Sequence, residues 1–389
     1  MEGPLSPAGA LHGLKVVELA AIGPVPFAAT MLADHGASVL RIKAPGPELG
    51  VVDPDLATHL RGRATAEVDL RRESGRDVVL SLLRDADILL EGSRPGAMER
   101  RGLAPEVLWA ANPRLVIGRM TGWGQDGPRA MRAGHDLNYL GVSGALRQMA
   151  RAGQAPVPPL NLVADFGGGA MFLLFGVLAA VWESQRSGRG QVVDAAMVDG
   201  AVNLMGLIYS MRAQGMWPGE PGENLLDTGA PFYDVYATSD GRFVAVGCLE
   251  PQFYAAFLAG LGLAAADLPD QYDTTGWPLL RKTFAEHLGR RSRAHWTDVF
   301  AETDACVTPV WGMDEAPHDP HMAERGSFVD VAGNPAPAPA PRMSRTPPHA
   351  GPVTGLPGDA AALATWGVPA HIVDRAQRDG ALPPSEPSA

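Results

Sequence analysis

The first part of the chain alternates short apolar runs with amphipathic stretches, which is the pattern of strands that alternate with helices. Lys15 to Leu19 predicts a strand, and Phe27 to Asp34 predicts a helix. Gly36 marks the end of that helix, and Ala37 to Ile42 predicts a second strand. Together these segments predict a βαβ unit.

The same alternation continues further along the chain. Asp77 to Leu83 predicts a helix, while Ile88 to Leu90 and Leu115 to Arg119 predict strands. Strands separated by helices in this way predict an open parallel sheet with helices on its faces. The first turn, Ala21 to Pro26, lacks the G-x-G-x-x-G fingerprint, so a nicotinamide or flavin cofactor has no support in the sequence.

Two long helical patterns follow in the middle of the chain. One runs from Asp165 to about Ser187, and the other runs from about Asp194 to Gln214. The glycines at 188 and 190 separate them. The apolar run Gly167 to Trp182 is shorter than the roughly 20 residues that cross a bilayer, so we interpret it as a buried helix.

Strand patterns return after these helices. Phe232 to Tyr236 and Arg242 to Gly247 predict a hairpin around the turn Ser239-Asp240-Gly241. Helical patterns follow at Phe253 to Leu261 and at Pro278 to His287. This part of the chain predicts a smaller α+β domain.

These patterns predict an α/β protein of two domains, with the boundaries given next. Residues 1–200 form the first part of a large Rossmann-like domain, 201–227 a linker helix region, 228–325 the small domain, and 326–389 a segment that returns to the large domain and ends in a tail. Within it, Asn334 to Pro341 alternates proline with alanine and predicts an extended linker. Asp359 to Trp366 predicts a helix, and Leu382 to Ala389 predicts a disordered tail.

Composition narrows the range of partners. The chain of 389 residues has a formal net charge of -11, which disfavours nucleic acid or an anionic membrane as the main partner. The two cysteines, Cys248 and Cys306, cannot form a disulfide framework and match no metal-ligand spacing, so we expect neither a metal site nor an oxidising compartment. The N-terminus has no secretory pattern, and a cytoplasmic location fits best.

The strongest chemical signal consists of two segments whose titratable residues lie thirty positions apart. Gly134-His135-Asp136 comes first, and Asn161 to Gly169 contains Asp165 followed by three glycines. Asp165 has two interpretations: a simple helix N-cap, or a base beside free N–H donors that hold a developing oxyanion. His135 is either a solvated loop side chain or a proton donor and acceptor near neutral pH.

Other polar residues give weaker signals. Glu250 follows a predicted strand and precedes a proline, so a surface cap is the ordinary interpretation. Several arginines in the first hundred positions are either solvated or available for the phosphates of a ligand, namely Arg61, Arg63, Arg71, Arg94 and Arg100.

From Leu11 to Arg345 the chain resembles the alpha-methylacyl-CoA racemases of the class III CoA-transferase superfamily. The motifs of the superfamily are Leu14 to Leu19, Leu32 to Ala37, Arg94-Pro95-Gly96 and Met120 to Gln125. The motifs of the racemase branch are Gly134 to Tyr139 and Asn161 to Gly169.

The resemblance implies a two-base isomerase. His135 and Asp165 would flank the alpha carbon of an acyl-CoA, one removing a proton and the other returning one on the opposite face of an enolate. Glu250 would orient the histidine, and Asn161 would lie beside the aspartate. Backbone N–H groups near Asp165 would hold the enolate oxygen. No metal or redox cofactor is implied, since coenzyme A is part of the substrate.

The resemblance also implies a set of coenzyme A contacts. One departure is Ala44, which stands where racemases commonly have an arginine, so Arg41 or Lys43 would have to substitute. The implied contacts are Ile22, Arg41, Val68, Asp69, Leu70, Arg71, Gly92, Ser93, Arg94, Arg100, Gly134, Asp136, Leu137, Asn138 and Tyr139.

Two further features follow from the resemblance. The acyl chain would lie on a methionine-rich surface, which corresponds here to Met205, Met211 and Met216, although core packing explains these residues as well. The family forms an interlocked homodimer with the active site between subunits, so we expect a homodimer here.

Two main rival interpretations stay open, besides an acyl-CoA isomerisation other than racemisation and an epimerase that acts on an unusual CoA ester. In a CoA-transferase, Asp165 would attack the thioester as a nucleophile instead of removing a proton from carbon. The Gly247 to Pro251 segment lacks the glycine-rich loop typical of those transferases, which favours the racemase. The other rival is a noncatalytic acyl-CoA-binding homologue, which the presence of His135, Asp165, Asn161 and Glu250 disfavours.

Overall fold

The computed structural model describes residues 9–48, 51, 53, 56–353, 356 and 358–384. Contacts within the chain group the described residues into two compact units. The first unit draws on Met1–Ser143, Leu160–Leu204 and His321–Ala389, and the second on Gly144–Pro159 and Met205–Pro320. The domain boundaries proposed from the sequence stay a prediction.

A six-stranded sheet of parallel strands forms the centre of the first unit, so the predicted α/β class with an open parallel sheet is confirmed. The strand order is β3-β2-β1-β4-β5-β6, which is the order of the dinucleotide-binding Rossmann fold. The strands are β1 Lys15–Leu19, β2 Ser38–Lys43, β3 Ala64–Glu67, β4 Ile88–Glu91, β5 Val116–Thr121 and β6 Val192–Ala196.

The sheet is buried because helices cover it. All four residues of β4 and all six residues of β5 are buried, as expected for central parallel strands. Val78, Val79 and Leu82 form one face of a helix that packs on the same core as Leu40 and Leu89. Burial of such side chains stabilises the fold by about 1.5–3 kcal/mol each.

Fifteen α-helices are present in the described part of the chain. Their bounds are α1 Pro24–Asp34, α2 Glu73–Leu83, α3 Ala97–Arg100, α4 Pro105–Ala111, α5 Asp136–Ser143, α6 Ala145–Gln148, α7 Met171–Ser187, α8 Met197–Leu204, α9 Gly206–Ala213, α10 Pro251–Leu261, α11 Trp277–Leu288, α12 Arg293–Phe300, α13 Pro320–Glu324, α14 Asp359–Thr365 and α15 Ala370–Arg378. Short 3-10 turns lie at Thr58–Leu60, Ala265–Asp267 and Ala316–His318.

The predicted helix from Asp194 to Gln214 is wrong at its start. Val192–Ala196 is the strand β6, which pairs in parallel with β5, and the helix begins only at Met197. The valines at 192 and 193 favour an extended chain, whereas the helical interpretation followed the apolar residues beyond Asp194. The helical region is also divided, because α8 ends at Leu204 and α9 begins at Gly206.

The long apolar helix differs from the prediction in length and burial. It starts as a π-helix, Leu162–Ala170, and continues as α7, giving a stretch of 26 residues. Among the described residues, this is the one helical stretch long and apolar enough to cross a bilayer. Leu173 and Val177 pack in the core, but Phe175 is 77% exposed and Trp182 is 67% exposed. The helix is therefore buried on one face only.

The second unit contains a three-stranded antiparallel sheet in the order β7-β8-β9. Its strands are β7 Tyr233–Ala237, β8 Phe243–Gly247 and β9 Val307–Pro309, so the predicted hairpin is confirmed. Helices α10, α11 and α12 supply the aromatic side chains Phe257, Phe284 and Phe300 of its core. Edge-to-face contacts between these rings, such as Phe257 with Phe284, add specific geometry to the apolar burial.

The predicted linker at Asn334 to Pro341 is only partly extended coil. Asn334–Pro337 forms the strand β11, which pairs antiparallel with β10, Phe328–Val331. Proline is tolerated here because a two-stranded ribbon leaves one side of each strand without ladder bonds. The helix predicted at Asp359 to Trp366 is confirmed as α14, and residues 385–389 of the predicted tail lie outside the described residues.

Candidate active site

A cleft of about 520 Å³ opens at the carboxyl ends of β1, β4 and β5. The strand order reverses between β1 and β4, and this switch point is where open α/β sheets bind their ligands. The lining residues are Ala21, Ile22, Gly23, Pro24, Val25, Gly92, Ser93, Arg94, Pro95, Met120, Thr121, Gly122, Trp123, Ala130, Arg132, Ala133, Gly134, His135, Tyr139, Asn161, Asp165 and Met197. All of them belong to the first unit.

The π-helix brings Asp165 into this cleft. The N-cap position is Asn161 and Asp165 is the fourth helical residue, so the N-cap interpretation of Asp165 is wrong. The glycines allow the π-helix to approach α8 closely. A Cβ atom on Gly168 would lie 2.7 Å from the backbone nitrogen of Ala201, and one on Gly200 would lie 1.8 Å from the carbonyl oxygen of Gly168. At Gly168, the missing side chain therefore serves helix packing.

The carboxylate of Asp165 is only lightly hydrogen-bonded. Asn161 Nδ2 donates to its Oδ2 over 3.3 Å, and Gly23 leaves space in front of that oxygen. Burial raises the pKa of Asp165, the Asn161 hydrogen bond lowers it, nearby Asp136 raises it and His135 lowers it, with a net rise. A carboxyl group with a raised pKa is a stronger base when ionised, so this environment suits proton transfer.

His135 lines the same cleft from the start of α5. Its backbone N–H donates to Asn138 Oδ1 over 3.0 Å, which resembles one half of a capping box. The imidazole is on an exposed residue, and its charge acts on Asp165. The structure therefore brings His135, Asp165 and Asn161 together, as the sequence predicted for these three residues.

Asp136, which the resemblance implies as a coenzyme A contact, does not line the cleft. Its side chain is buried, with 4% of the residue exposed, and Oδ2 accepts the backbone N–H groups of Ala164 and Asp165 over 2.7 and 2.8 Å. These two N–H groups are therefore occupied. The expectation that backbone N–H groups near Asp165 hold an enolate oxygen stays a prediction, and it would have to be met by N–H groups other than this pair.

Tyr139 packs beneath the cleft. Its hydroxyl donates to the carbonyl oxygen of Gly134, and its ring meets Trp123 edge to face with centroids 4.9 Å apart. Burial raises the pKa of Tyr139 to about 12, with Asp165 and Asp136 acting in the same direction. The phenol therefore stays protonated near neutral pH. Gly122 is needed here, since a Cβ atom would lie 2.1 Å from the tyrosine ring.

A buried carboxylate supports the turn after β4. Glu91 accepts the backbone N–H of Ser93 over 2.6 Å, and Arg119 Nε lies 3.6 Å from its other oxygen. Burial raises the pKa of Glu91, which these two contacts oppose. The arrangement fixes Gly92 and Ser93 at the edge of the cleft.

The predicted coenzyme A contacts divide into two groups. Six of them line the cleft: Ile22, Gly92, Ser93, Arg94, Gly134 and Tyr139. The others do not line it: Arg41, Val68, Asp69, Leu70, Arg71, Arg100, Asp136, Leu137 and Asn138. Val68 lies in the hydrophobic core, while Arg71 is exposed and bonded to Asp69. Arg41 is 3% exposed and forms ion pairs with Glu48 and Glu18.

The substitutes suggested for Ala44 are both engaged. Arg41 is held by Glu48 and Glu18, and Lys43 lies 2.5 Å from Glu67. Glu250, the fourth proposed catalytic residue, belongs to the second unit, where it occupies the N-cap position of α10 without a side-chain capping bond.

The sequence interpretation missed a cationic residue of the cleft. Arg132 lines it together with Arg94, and in the described part of the chain neither side chain has an ion pair or hydrogen bond. Arg132 lies two positions before Gly134. Its closeness in sequence to the Gly134-His135-Asp136 motif is the feature that could have predicted it. The residues described here include no group of three or more His, Cys, Asp or Glu side chains placed to hold a metal ion.

A Rossmann-like sheet whose switch-point cleft contains a histidine and a carboxylate defines an α/β protein with an acid–base site. Comparison with known proteins is more specific. Residues 11–355 match the model of CoA-transferase family III. Alpha-methylacyl-CoA racemase from Mus musculus is 45% identical over 338 residues, 87% of each chain. The human protein of that name is 42% identical over 339 residues, again 87% of each chain.

A solved structure agrees in fold. A CAIB/BAIF family protein from Brucella suis has a TM-score of 0.78 at 24% identity, covering 92% of this chain and 98% of that one. The chain belongs to CoA-transferase family III.

Proposed function

We propose that this protein is an alpha-methylacyl-CoA racemase, an isomerase that interconverts the 2R and 2S forms of a 2-methylacyl-CoA. The observation that carries the proposal is the meeting of His135 and Asp165 in one cleft at the switch point of the sheet. The two relatives named alpha-methylacyl-CoA racemase, at 45% and 42% identity, support it.

The chemistry requires two groups that exchange protons with carbon. For one enantiomer, the Asp165 carboxylate removes the alpha proton, and the electron pair of the C–H bond moves into the thioester carbonyl to form an enolate. Protonated His135 then donates its proton to the opposite face of the enolate carbon. The product has the inverted configuration, with Asp165 protonated and His135 neutral. The other enantiomer reacts through the same steps in reverse order.

Coenzyme A would enter at the two free arginines of the cleft. Arg94 and Arg132 are both exposed and have no anionic partner among the described residues, so phosphate oxygens can bind them without displacing another group. The exposed Arg71 would supply a further phosphate contact outside the cleft. Arg41 is a poor candidate because two carboxylates already bind it.

We further propose a homodimer in which the partner supplies Glu250 to orient His135. An uncovered apolar face supports a protein partner for the first unit: Met171, Phe175 and Trp182 lie on the outer face of α7, with Phe175 77% exposed.

The proposal can be tested by co-expressing Glu250→Gln and Asp165→Asn chains with two different tags. A shared site leaves one intact site in each mixed dimer, so about half of the wild-type activity returns. Mixed dimers without activity would contradict it.

The reaction needs acid–base groups alone, so we propose that it proceeds without a metal or redox cofactor and persists after treatment with a chelator. Both cysteines are free, Cys248 buried and Cys306 exposed, which supports a reducing compartment such as the cytoplasm. The net charge of -11 supports neither nucleic acid nor an anionic membrane as a partner.

The second candidate is a CoA-transferase, because the half-exposed carboxylate of Asp165 can also attack a thioester carbonyl. In that reaction the thiolate of coenzyme A leaves and a mixed anhydride forms at Asp165. The thiolate then attacks the aspartyl carbonyl of this anhydride, which releases the first acid and leaves Asp165 as a coenzyme A thioester. An added carboxylate attacks that thioester to form a second anhydride and expel the thiolate, which attacks the carbonyl of the added acid and returns Asp165 as a free carboxylate. The two candidates differ in the bond that changes, which is C–H at the alpha carbon in one and C–S in the other.

The test follows both bonds in one experiment. Each enantiomer of a 2-methylacyl-CoA is incubated in deuterated water, with and without a free carboxylate, and alpha-deuterium and configuration are measured. We expect deuterium incorporation with inversion, reduced by about 10²- to 10⁴-fold in Asp165→Asn and His135→Ala. His295→Gln, which changes an exposed histidine of the second unit, is the matched control. Transfer of coenzyme A to the free carboxylate, without deuterium exchange at the alpha carbon, would show that the protein is a CoA-transferase instead.

A further inference from the structure

We infer that Asp136 is a positioning residue that holds Asp165 in place relative to His135. The inference rests on the proposed function, and it assigns the Asp136 carboxylate to the frame of the site instead of to coenzyme A. Its basis is a pair of hydrogen bonds between α5 and the π-helix.

The start of the π-helix needs an external partner. The first turn of any helix leaves backbone N–H groups without intrahelical acceptors. Asn161, at the N-cap position, makes no side-chain capping bond. Asp136 Oδ2 accepts two of these groups, the N–H of Ala164 at 2.7 Å and that of Asp165 at 2.8 Å. A residue 28 positions away from Ala164 therefore caps the turn that carries the proposed base.

The same carboxylate ties the two proposed bases together. His135 precedes Asp136 directly in the chain, and its backbone is fixed by the bond from its N–H to Asn138. Asp136 binds the backbone of Asp165 itself. His135 is thus connected to Asp165 through one peptide bond, to Asp136, and one hydrogen bond, from the Asp165 N–H to the Asp136 carboxylate. This connection restricts the distance between the two proposed bases. A misplacement of about 1 Å in such a pair can cost 10²-fold in rate.

The charge of Asp136 is a second, separable contribution. Its Oδ1 atom is buried and has no hydrogen-bond partner among the described residues. Burial raises the pKa of Asp165 most, and the nearby negative charge of Asp136 raises it too, while Asn161 and His135 lower it.

The remaining titratable groups on the elements packed around the π-helix are accounted for. Tyr139 of α5 is protonated near neutral pH, because its own pKa is raised. Asp34 of α1 is paired with Arg61, and Asp199 of α8 is exposed. Asp194 of β6 accepts the backbone N–H of Gln125, and Glu183 and Arg186 are exposed near the end of α7. His135 and Asp136 are thus the charged groups that act most directly on Asp165.

Two substitutions separate position from charge. In Asp136→Asn, the amide oxygen can still accept both N–H groups, since one atom, Oδ2, accepts both in the native chain. The amide nitrogen takes the place of Oδ1, which accepts no bond. Asp136→Ala removes both the acceptor and the charge. Asp199→Asn, which neutralises an exposed acid on α8, is the matched control.

The experiment measures alpha-deuterium exchange of a 2-methylacyl-CoA against pH, together with kcat, KM and thermal unfolding. We expect Asp136→Asn to keep kcat within about threefold of wild type on the plateau and to shift the acid limb of the profile to lower pH. We expect Asp136→Ala to lose about 10- to 100-fold in kcat at every pH, with KM nearly unchanged. The control should match wild type in all four measurements.

The experiment distinguishes failure of the proposed function from failure of either role inferred for Asp136. Wild-type protein without exchange overturns the proposed function and this inference with it. Exchange by wild type, combined with an unshifted acid limb in Asp136→Asn, overturns the charge contribution even when the alanine variant does not fold. Folded Asp136→Ala with wild-type kcat overturns the positioning role.

Discussion

Two groups of charged side chains in the first unit differ in how completely they are paired. The first group, which we call the strand cluster, consists of Glu18 on β1, Arg41 beside it on β2, Arg63 directly before β3, and Glu48. Arg63 Nη1 lies 2.5 Å from Glu18, and both side chains are 0% exposed. In the cleft, Asp165 has one side-chain hydrogen bond, at 3.3 Å, and Arg94 and Arg132 line the same space.

This difference in pairing indicates that the strand cluster stabilises the fold, whereas the charged groups of the cleft are available for a ligand. The two acids and two arginines of the strand cluster balance in charge, and Arg63 also donates to the carbonyl oxygens of Pro26 and His59. Burial and mutual ion pairs keep these charges away from a ligand, even though Glu18 Oε1, Arg41 Nε and Arg63 Nε have no hydrogen-bond partner among the described residues. Removing one of the charges leaves its partner unpaired. The groups in the cleft are underpaired, so a substrate can complete their interactions. The comparison explains why Arg41 and Arg94, both arginines near strand ends, have different roles.

The largest expected effect is on stability, from a change in the strand cluster. Arg63→Met removes the guanidinium that pairs with Glu18 while keeping most of the side-chain volume. We expect the free energy of unfolding to fall by about 3–5 kcal/mol, because Glu18 and several backbone acceptors lose their buried donor. Denaturant unfolding measures the change.

His135→Ala is the counterpart in the cleft for this experiment. Because His135 is exposed and underpaired, this change should leave the midpoint of unfolding unchanged. It should reduce exchange at the alpha carbon by about 10²- to 10⁴-fold, as expected for the loss of an acid–base group. If Arg63→Met were as stable as wild type, or His135→Ala strongly destabilised, the contrast between the two groups would not hold.

A smaller effect concerns the pH dependence of Asp165. The Asn161 hydrogen bond lowers the pKa of Asp165 against the upward effect of burial. Asn161→Ala should therefore raise that pKa further and move the acid limb of the rate profile to higher pH, with activity on that limb reduced more than activity on the plateau. Initial rates of deuterium exchange against pH measure it. Asn203→Ala, which changes an exposed amide of α8 outside the cleft lining, serves as the comparison. A limb that moves to lower pH would contradict the assignment.

The smallest effect is expected at Arg71, whose side chain is 82% exposed and paired only with the neighbouring Asp69. Exposed pairs of this kind contribute little to folding, so Arg71→Ala should leave the unfolding midpoint unchanged. If Arg71 binds a phosphate of coenzyme A, KM for the acyl-CoA should rise about tenfold with kcat unchanged. Steady-state kinetics on wild type and variant measure both constants. An unchanged KM would remove Arg71 from the proposed contacts.

Several elements could be predicted from the sequence because their signals are local. The strand Lys15–Leu19, the helix ending at Asp34 and the hairpin in the second unit follow from apolar periodicity and turn residues. The strand β6 was missed because its last residues continue into an apolar helix without a turn signal. The π-helix was missed because its wider hydrogen-bond pattern has no distinct sequence period.

Part of the candidate site could also be predicted, because the residue types and short motifs that suggest it are local features of the sequence. His135, Asp165 and Asn161 were chosen by residue type and by resemblance, and they do meet in one cleft. Arg41 was chosen in the same way, but Glu18 and Glu48 bind it. The sequence contains the arginine without its partners, and it likewise contains Arg132 without showing that this residue reaches the cleft.

By itself, the sequence determined which segments could form strands and helices and which residue types were available for acid–base chemistry. Only the tertiary structure decided which charges are neutralised and which stay available. Arg63 meets Glu18 across 45 positions, and Asp136 meets the backbone of Asp165 across 29. Periodicity acts over a few residues, whereas the pairing of a buried charge depends on which side chains the fold brings within about 4 Å. The order of strands in the sheet sets that proximity.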